Sequence, residues 1–138
     1  MRIEVIHFGA HAPDCSVVWL PDAQVLFASD LIFEGRYPYL FDVDVLALIA
    51  ALKRLPAFGA KVIVPGHGIL CGRKEIAALL NYLETTWART ADHIAKGHSQ
   101  DETAADPGYP RYAEKQAERL HQANIRLMYA QIGKRNRQ

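Results

Sequence analysis

Val62-Ile63-Val64-Pro65-Gly66-His67-Gly68 is the stretch on which the reading of this chain turns. A short β-branched run bounded by turn residues predicts a buried strand. The glycines that follow let the backbone turn tightly. A histidine at that point is carried to the rim of a sheet, where open α/β proteins tend to place their sites. Two other polar residues hold similar positions. His11 follows the strand-like Ile3 to Phe8 in Phe8-Gly9-Ala10-His11-Ala12-Pro13, and Asp30 follows the strand-like Val25-Leu26-Phe27-Ala28-Ser29. One such residue means little, but three of them, each closing an apolar strand, point to a convergent metal site. Neutral imidazole and carboxylate are ordinary zinc ligands.

Outward from these strands the chain has a simple order. Ser16 to Leu20 and Val25 to Ala28 flank Pro21-Asp22-Ala23-Gln24, which has turn chemistry and predicts a hairpin. Val45, Leu46, Leu48, Ile49, Leu52 and Leu55 recur at helical spacing. Asp42 or Asp44 can cap that helix, and Pro56 and Gly59 end it. The next strand is Lys61 to Val64, so a strand–helix–strand unit with neighbouring parallel strands is expected. A long helix follows Gly72, with Ile76, Leu79, Leu80, Leu83, Trp87 and Ile94 as its buried stripe and Gly97 as its stop. Ser99 or Asp101 can cap a short helical turn beyond it. After the break at Asp106-Pro107-Gly108-Tyr109-Pro110, a last helix is expected over 111–132, with Leu120, Leu127 and Met128 on one side.

Gly9-Ala10-His11-Ala12-Pro13, Val17-Val18-Trp19-Leu20-Pro21, Val25-Leu26-Phe27-Ala28-Ser29-Asp30 and Val64-Pro65-Gly66-His67-Gly68 stand in the order and spacing of the C-terminal half of the metallo-β-lactamase-fold hydrolases. The resemblance continues through Phe33-Glu34-Gly35-Arg36 and covers roughly residues 3–72, then the C-terminal helices more loosely. It implies that His11, Asp30 and His67 are metal ligands, with Asp30 bridging two ions. It also implies an α/β fold: half of an αββα sandwich, a mixed sheet of about five strands with helices on one face. The chain lacks the family's His-x-His-x-Asp-His run, and with it about half of the expected ligands. Ala12 replaces a usual threonine, Asp14 stands where glycine is common, and Ser29 precedes Asp30 where glycine is usual.

The expectation is therefore a single half-domain over 1–138, with its core in 3–97. It would be a metal-dependent hydrolase or a truncated remnant of one. Metal-bound hydroxide would attack an ester, thioester, lactam, lactone or phosphodiester. Zinc is the expected ion, with iron or manganese as alternatives. One or two ions would bind once a complete site is assembled. Three ligands do not furnish a dinuclear site, so a homodimer with a two-fold axis, or a separate chain carrying the missing half, is expected. The competing reading is a catalytically silent half-domain that dimerises or binds a partner.

Composition narrows the alternatives. A formal charge of +1 gives no reason to expect nucleic-acid binding. No apolar stretch approaches the length of about 20 residues that spans a bilayer. The cysteines, Cys15 and Cys71, form no C-x-x-C pair or disulfide framework, so a reducing, cytoplasmic setting is expected and both read as inert thiols. The remaining candidates read as structural. His7 packs or backs a neighbouring ligand; His93, His98 and His121 are solvated or structural; Asp14 belongs to a turn or cap. Tyr37 and Tyr39 cover the core from a loop, and Trp87 lies in it.

Overall fold

A computed structural model describes residues 1–112 and 117–138. Strands β1 (Glu4–His7), β2 (Ser16–Leu20), β3 (Val25–Phe33) and β4 (Val62–His67) form one four-stranded sheet in the order β1-β2-β3-β4. The first two pairings are antiparallel and β3 with β4 is parallel. The mixed sheet is as expected, but with four strands. After β4 the described chain makes an isolated antiparallel bridge, Cys71 to Ile63.

Alternation along the strands decides which face the helices cover. Val17, Trp19, Leu26, Ala28 and Ile63 are buried on the inner face. Helix α1 (Val45–Arg54) packs there with Val45, Leu48, Ile49, Ala51 and Leu52. Of the two cap candidates Asp44 is the one used, accepting from the Leu46 and Ala47 N–H groups. That satisfies two donors a helix start leaves unpaired. A 3-10 turn follows over Leu55–Phe58, and Gly59 ends it at φ 67°.

Helix α2 (Arg73–Ala95) differs from the expected stripe. Its buried residues are Ile76, Leu79, Tyr82, Leu83, Thr86 and Thr90, whereas Leu80, Trp87 and Ile94 are only half-buried. Polar residues occupy the buried line because α4 (Glu118–Arg135) lays His121 and Asn124 against it. Tyr82 hydroxyl and His121 Nδ1 hydrogen-bond at 3.0 Å, and Asn124 Nδ2 donates to the Pro38 carbonyl at 3.0 Å. Counting apolar letters misses such a face, because its burial depends on partners more than 30 residues away. Helix α4 extends past the expected end at Ile132, and it does not begin at Arg111 as expected: Arg111 and Tyr112 are not helical, residues 113–116 lie outside the described residues, and the helix starts at Glu118. Between these helices, α3 (Gln100–Ala105) is capped by Ser99, in a reciprocal box with Glu102.

Candidate functional site

Each of the three sequence-derived residues arrives at the same sheet end by a different route. His67 is the last residue of β4. The turn beyond it is made by Gly68 at φ 108°, and the Glu34 N–H donates to the His67 carbonyl at 2.8 Å. His11 sits in the loop after β1. Gly9 at φ 62° opens that loop, and the His7 Nε2–H donates across it to the Pro13 carbonyl at 2.6 Å. His7 thus braces the loop that carries His11.

Asp30 corrects the sequence reading. It does not follow a strand; it lies inside β3, which runs on to Phe33. Ser29 takes a left-handed φ of 52°, and the pairing with β4 shifts register on either side of it. The strand therefore kinks at Ser29 and delivers Asp30 sideways toward β4. The backbone conformation at Ser29 is one that glycine adopts most readily, which accounts for glycine being usual there. Gly66 has a different function from the one its sequence suggests. It makes no left-handed turn. A Cβ at Gly66 would lie 2.8 Å from the Ser29 carbonyl carbon and oxygen and would run into the Asp30 carboxylate.

The result is a convergence on one carboxylate. His67 Nε2 stands 3.4 Å from Asp30 Oδ1, and His11 Nε2 stands 3.8 Å from Asp30 Oδ2. Each imidazole faces its own carboxylate oxygen. Ligand atoms about 2.05 Å from a tetrahedral zinc lie roughly 3.3–3.4 Å from one another, so these separations sit at or slightly beyond that edge. His11 Nδ1 is buried with no hydrogen-bond partner among the described residues. Phe33, which the sequence reading did not single out as a site residue, stacks on His67 with centroids 4.6 Å apart and 15° between planes. It also lies 5.8 Å from the His11 ring. Its position at the end of β3, past the kink at Ser29, was the available signal.

The donor set fits zinc in kind, but it is incomplete. Among the described residues no group of three or more His, Cys, Asp or Glu side chains is arranged to hold an ion. Cys71 does not fill the gap: burial, then the charges of Glu75 and Glu34, push its thiol up to about 11. Protonated at neutral pH, it is a poor nucleophile. Cys15 is buried. Tyr37 is core, and Tyr39 is exposed against Phe41. No helix among the described residues is long and apolar enough to cross a membrane.

The mixed sheet, whose rim gathers two imidazoles around one carboxylate, has the fold of the metallo-beta-lactamases. Residues 2–67 match the metallo-beta-lactamase superfamily model, and the chain belongs to that superfamily. It is 30% identical over 107 residues, 72% of its length, to the linear primary-alkylsulfatase of Pseudomonas sp. (strain ATCC 19151), and spans 19% of that protein. Among solved structures it resembles the metallo-beta-lactamase of Pontibacter korlensis at 30% identity and TM-score 0.55, over 59% of this chain and 41% of that one. It also shares the fold of the stereoselective inverting sec-alkylsulfatase of Pseudomonas sp., at 18% identity and TM-score 0.71, over 94% of this chain and 24% of that one. The chain therefore spans less than half the length of these relatives.

Proposed function

We propose that this chain contributes His11, Asp30 and His67 to the metal site of a hydrolase, and that the substrate class is an alkyl sulfate ester. The observation that carries the reading is the pair of imidazoles addressing separate oxygens of Asp30, the arrangement a carboxylate shared by two ions needs. Bound zinc would supply Lewis-acid polarisation of the scissile group and would acidify water. The residues of this chain hold and orient. The Ser29 kink aims Asp30, Gly66 leaves room for it, and the Phe33 ring fixes the plane of His67.

Support for the substrate class comes from the extent of likeness. The lactamase match covers 59% of the chain, whereas the sec-alkylsulfatase fold match covers 94% and so takes in the C-terminal helices. Ile69 and Leu70, immediately after His67-Gly68, are exposed and apolar, a suitable surface for an alkyl chain. The remaining ligands would come from a second copy of this chain or from a separate chain carrying the missing half. Val5, Val18, Phe27 and Val64 are paired in register across all four strands on the face away from the helices, with Val5 and Phe27 exposed. An apolar row of that kind favours a covering partner. The same row also favours a second reading, a silent half-domain that only docks.

Native mass spectrometry after zinc loading, followed by sulfate release from octyl sulfate, tests the proposal. A zinc-loaded assembly with turnover abolished by Asp30→Ala is the expected result. Turnover untouched by Asp30→Ala would sink the mechanism, and a zinc-loaded assembly that leaves octyl sulfate intact but cleaves another ester would sink the substrate class. An assembly that takes up no zinc and turns nothing over would select the silent reading.

A further inference from the structure

A second pair of imidazoles lies at the other end of the molecule, where α2 stops. Gly97 takes φ 79°, the Gly97 N–H donates to the Ile94 carbonyl at 3.0 Å, and the His98 N–H donates to the His93 carbonyl at 3.0 Å. These two bonds define a Schellman ending, which brings the side chains three positions inside the cap and two beyond it face to face. An apolar contact usually fills that place. Here both residues are histidines, with His93 Nδ1 and His98 Nδ1 only 2.8 Å apart.

The other nitrogen of His93 is committed. Its Nε2–H donates to Asp106 Oδ2 at 2.9 Å, and Arg89 Nε donates to the same carboxylate oxygen at 2.7 Å. In neutral His93 the Nδ1 lone pair therefore points at His98. A carboxylate behind an imidazole is how metal-binding histidines are commonly oriented and made more basic. The site is reachable, since His98 is exposed. It also lies at the C-terminal end of a 23-residue helix, where the backbone dipole favours a cation. The neighbouring charges largely cancel: Arg89 is paired with Asp106, and Lys96 with Asp92 at 2.7 Å.

We infer that His93 and His98 form a two-imidazole chelate for a divalent transition-metal ion such as zinc, with water in the remaining positions and Asp106 positioning His93. It is separate from the strand-rim residues and does not depend on the hydrolase reading. Without metal, the two Nδ1 atoms share one proton, donated by His98. On binding, the His98 proton moves to its Nε2 through solvent and the rings part slightly, so that both lone pairs face the ion. No net proton is released by the neutral pair, and protonation at acid pH competes with the metal. The consequence is a clamp on the corner between α2 and α3.

The test is a zinc titration of the full chain carrying His11→Gln and His67→Gln, which removes the strand-rim imidazoles. It is read by calorimetry and by imidazole nitrogen NMR. The expected result is one zinc per chain, Nδ1 resonances of both His93 and His98 shifting together, and an affinity at least about tenfold weaker in His98→Gln. His98 is exposed and its cap bond uses the backbone N–H, so that variant keeps the fold. Unchanged affinity in His98→Gln, or zinc-dependent shifts confined to other residues, would overturn the assignment.

Discussion

The strand rim and the α2–α4 interface both collect histidines and polar partners, but the two regions differ in how far they expose them and in their backbone. At the rim Asp30 and His67 are partly exposed, with side chains 42% and 46% accessible, and the two imidazoles face a carboxylate they do not hydrogen-bond. The backbone there takes a left-handed conformation at Ser29. Between the helices His121 is 2% exposed, bonded to Tyr82 and stacked on Tyr37 at 4.8 Å. Buried polar groups that are paired serve the fold, and those left unpaired by design are costly to keep. Unpaired buried atoms occur in both regions among the described residues, His11 Nδ1 at the rim and Thr86 Oγ1 and the Tyr37 hydroxyl on the helix side, so the rim is set apart by its exposure and by the left-handed backbone at Ser29.

The largest test of this contrast is His121→Ala. It removes a buried ring and leaves Tyr82 without its partner, so a loss of about 3 kcal/mol is expected in urea unfolding. Burial holds the His121 pKa below its ordinary value, the largest cause, with Arg111 adding to the shift and Glu118 opposing it. Above the ordinary histidine pKa of about 6.5 the neutral ring is favoured in both folded and unfolded chains, and its contribution is complete. As pH falls through that value the unfolded chain gains a proton that the folded chain resists, so stability declines until the lower folded pKa is passed. His121→Ala should flatten that part of the stability profile. A profile identical to that of the parent would place the acid sensitivity elsewhere.

Gly66→Ala comes next, and it joins the two halves of the comparison because it damages the rim through packing. The added Cβ meets the Ser29 backbone and the Asp30 carboxylate. About 2 kcal/mol of destabilisation is expected, together with weaker zinc uptake because Asp30 is displaced. Gly35→Ala is the control for zinc uptake, since nothing lies near a Cβ there, although its φ of 66°, unlike that of Gly66, is positive. If the two variants bind zinc equally, Gly66 has no role in placing Asp30.

What the sequence disclosed follows the same division. Val17, Leu26 and Ile63 declare themselves by alternation, and Gly59 and Gly97 by turn chemistry, because local geometry alone decides them, whereas the cap of α1 was legible only as Asp42 or Asp44. His11 and His67 were legible as rim residues from the strands that precede them. Asp30 was found, but in the wrong setting, because a strand that kinks and continues looks in sequence like one that ends. Thr86, Thr90, His121 and Asn124 could not be read as buried. Their burial is settled by the docking of α4 on α2. The His93–His98 pair had a local signal in the Gly97 stop, but reading it required knowing which cap motif the glycine makes.

Ser29→Gly acts in the opposite direction from the first two. Relief of a left-handed non-glycine residue is worth about 1 kcal/mol, and the added freedom of the unfolded chain takes back part of it, leaving a net gain of roughly 0.5 kcal/mol. Thermal unfolding resolves that. If stability falls instead, Ser29 makes a compensating contact that the kink alone does not explain.

Asp30→Ala should have the smallest effect on folding and the greatest on chemistry. Its carboxylate is 42% exposed, and its ion pairs with His11 and His67 are long. Partly exposed pairs of this kind contribute little, so a change within about 0.5 kcal/mol is expected in urea. Zinc uptake at the rim should nevertheless be lost in the same variant. A group whose removal costs several kcal/mol belongs to the scaffold, whatever its neighbours. If Asp30→Ala unfolds the protein as readily as His121→Ala does, the rim is held by its charges and the distinction between the two regions fails. If stability stays and zinc binding goes, the unpaired geometry around Asp30 is maintained for the ion.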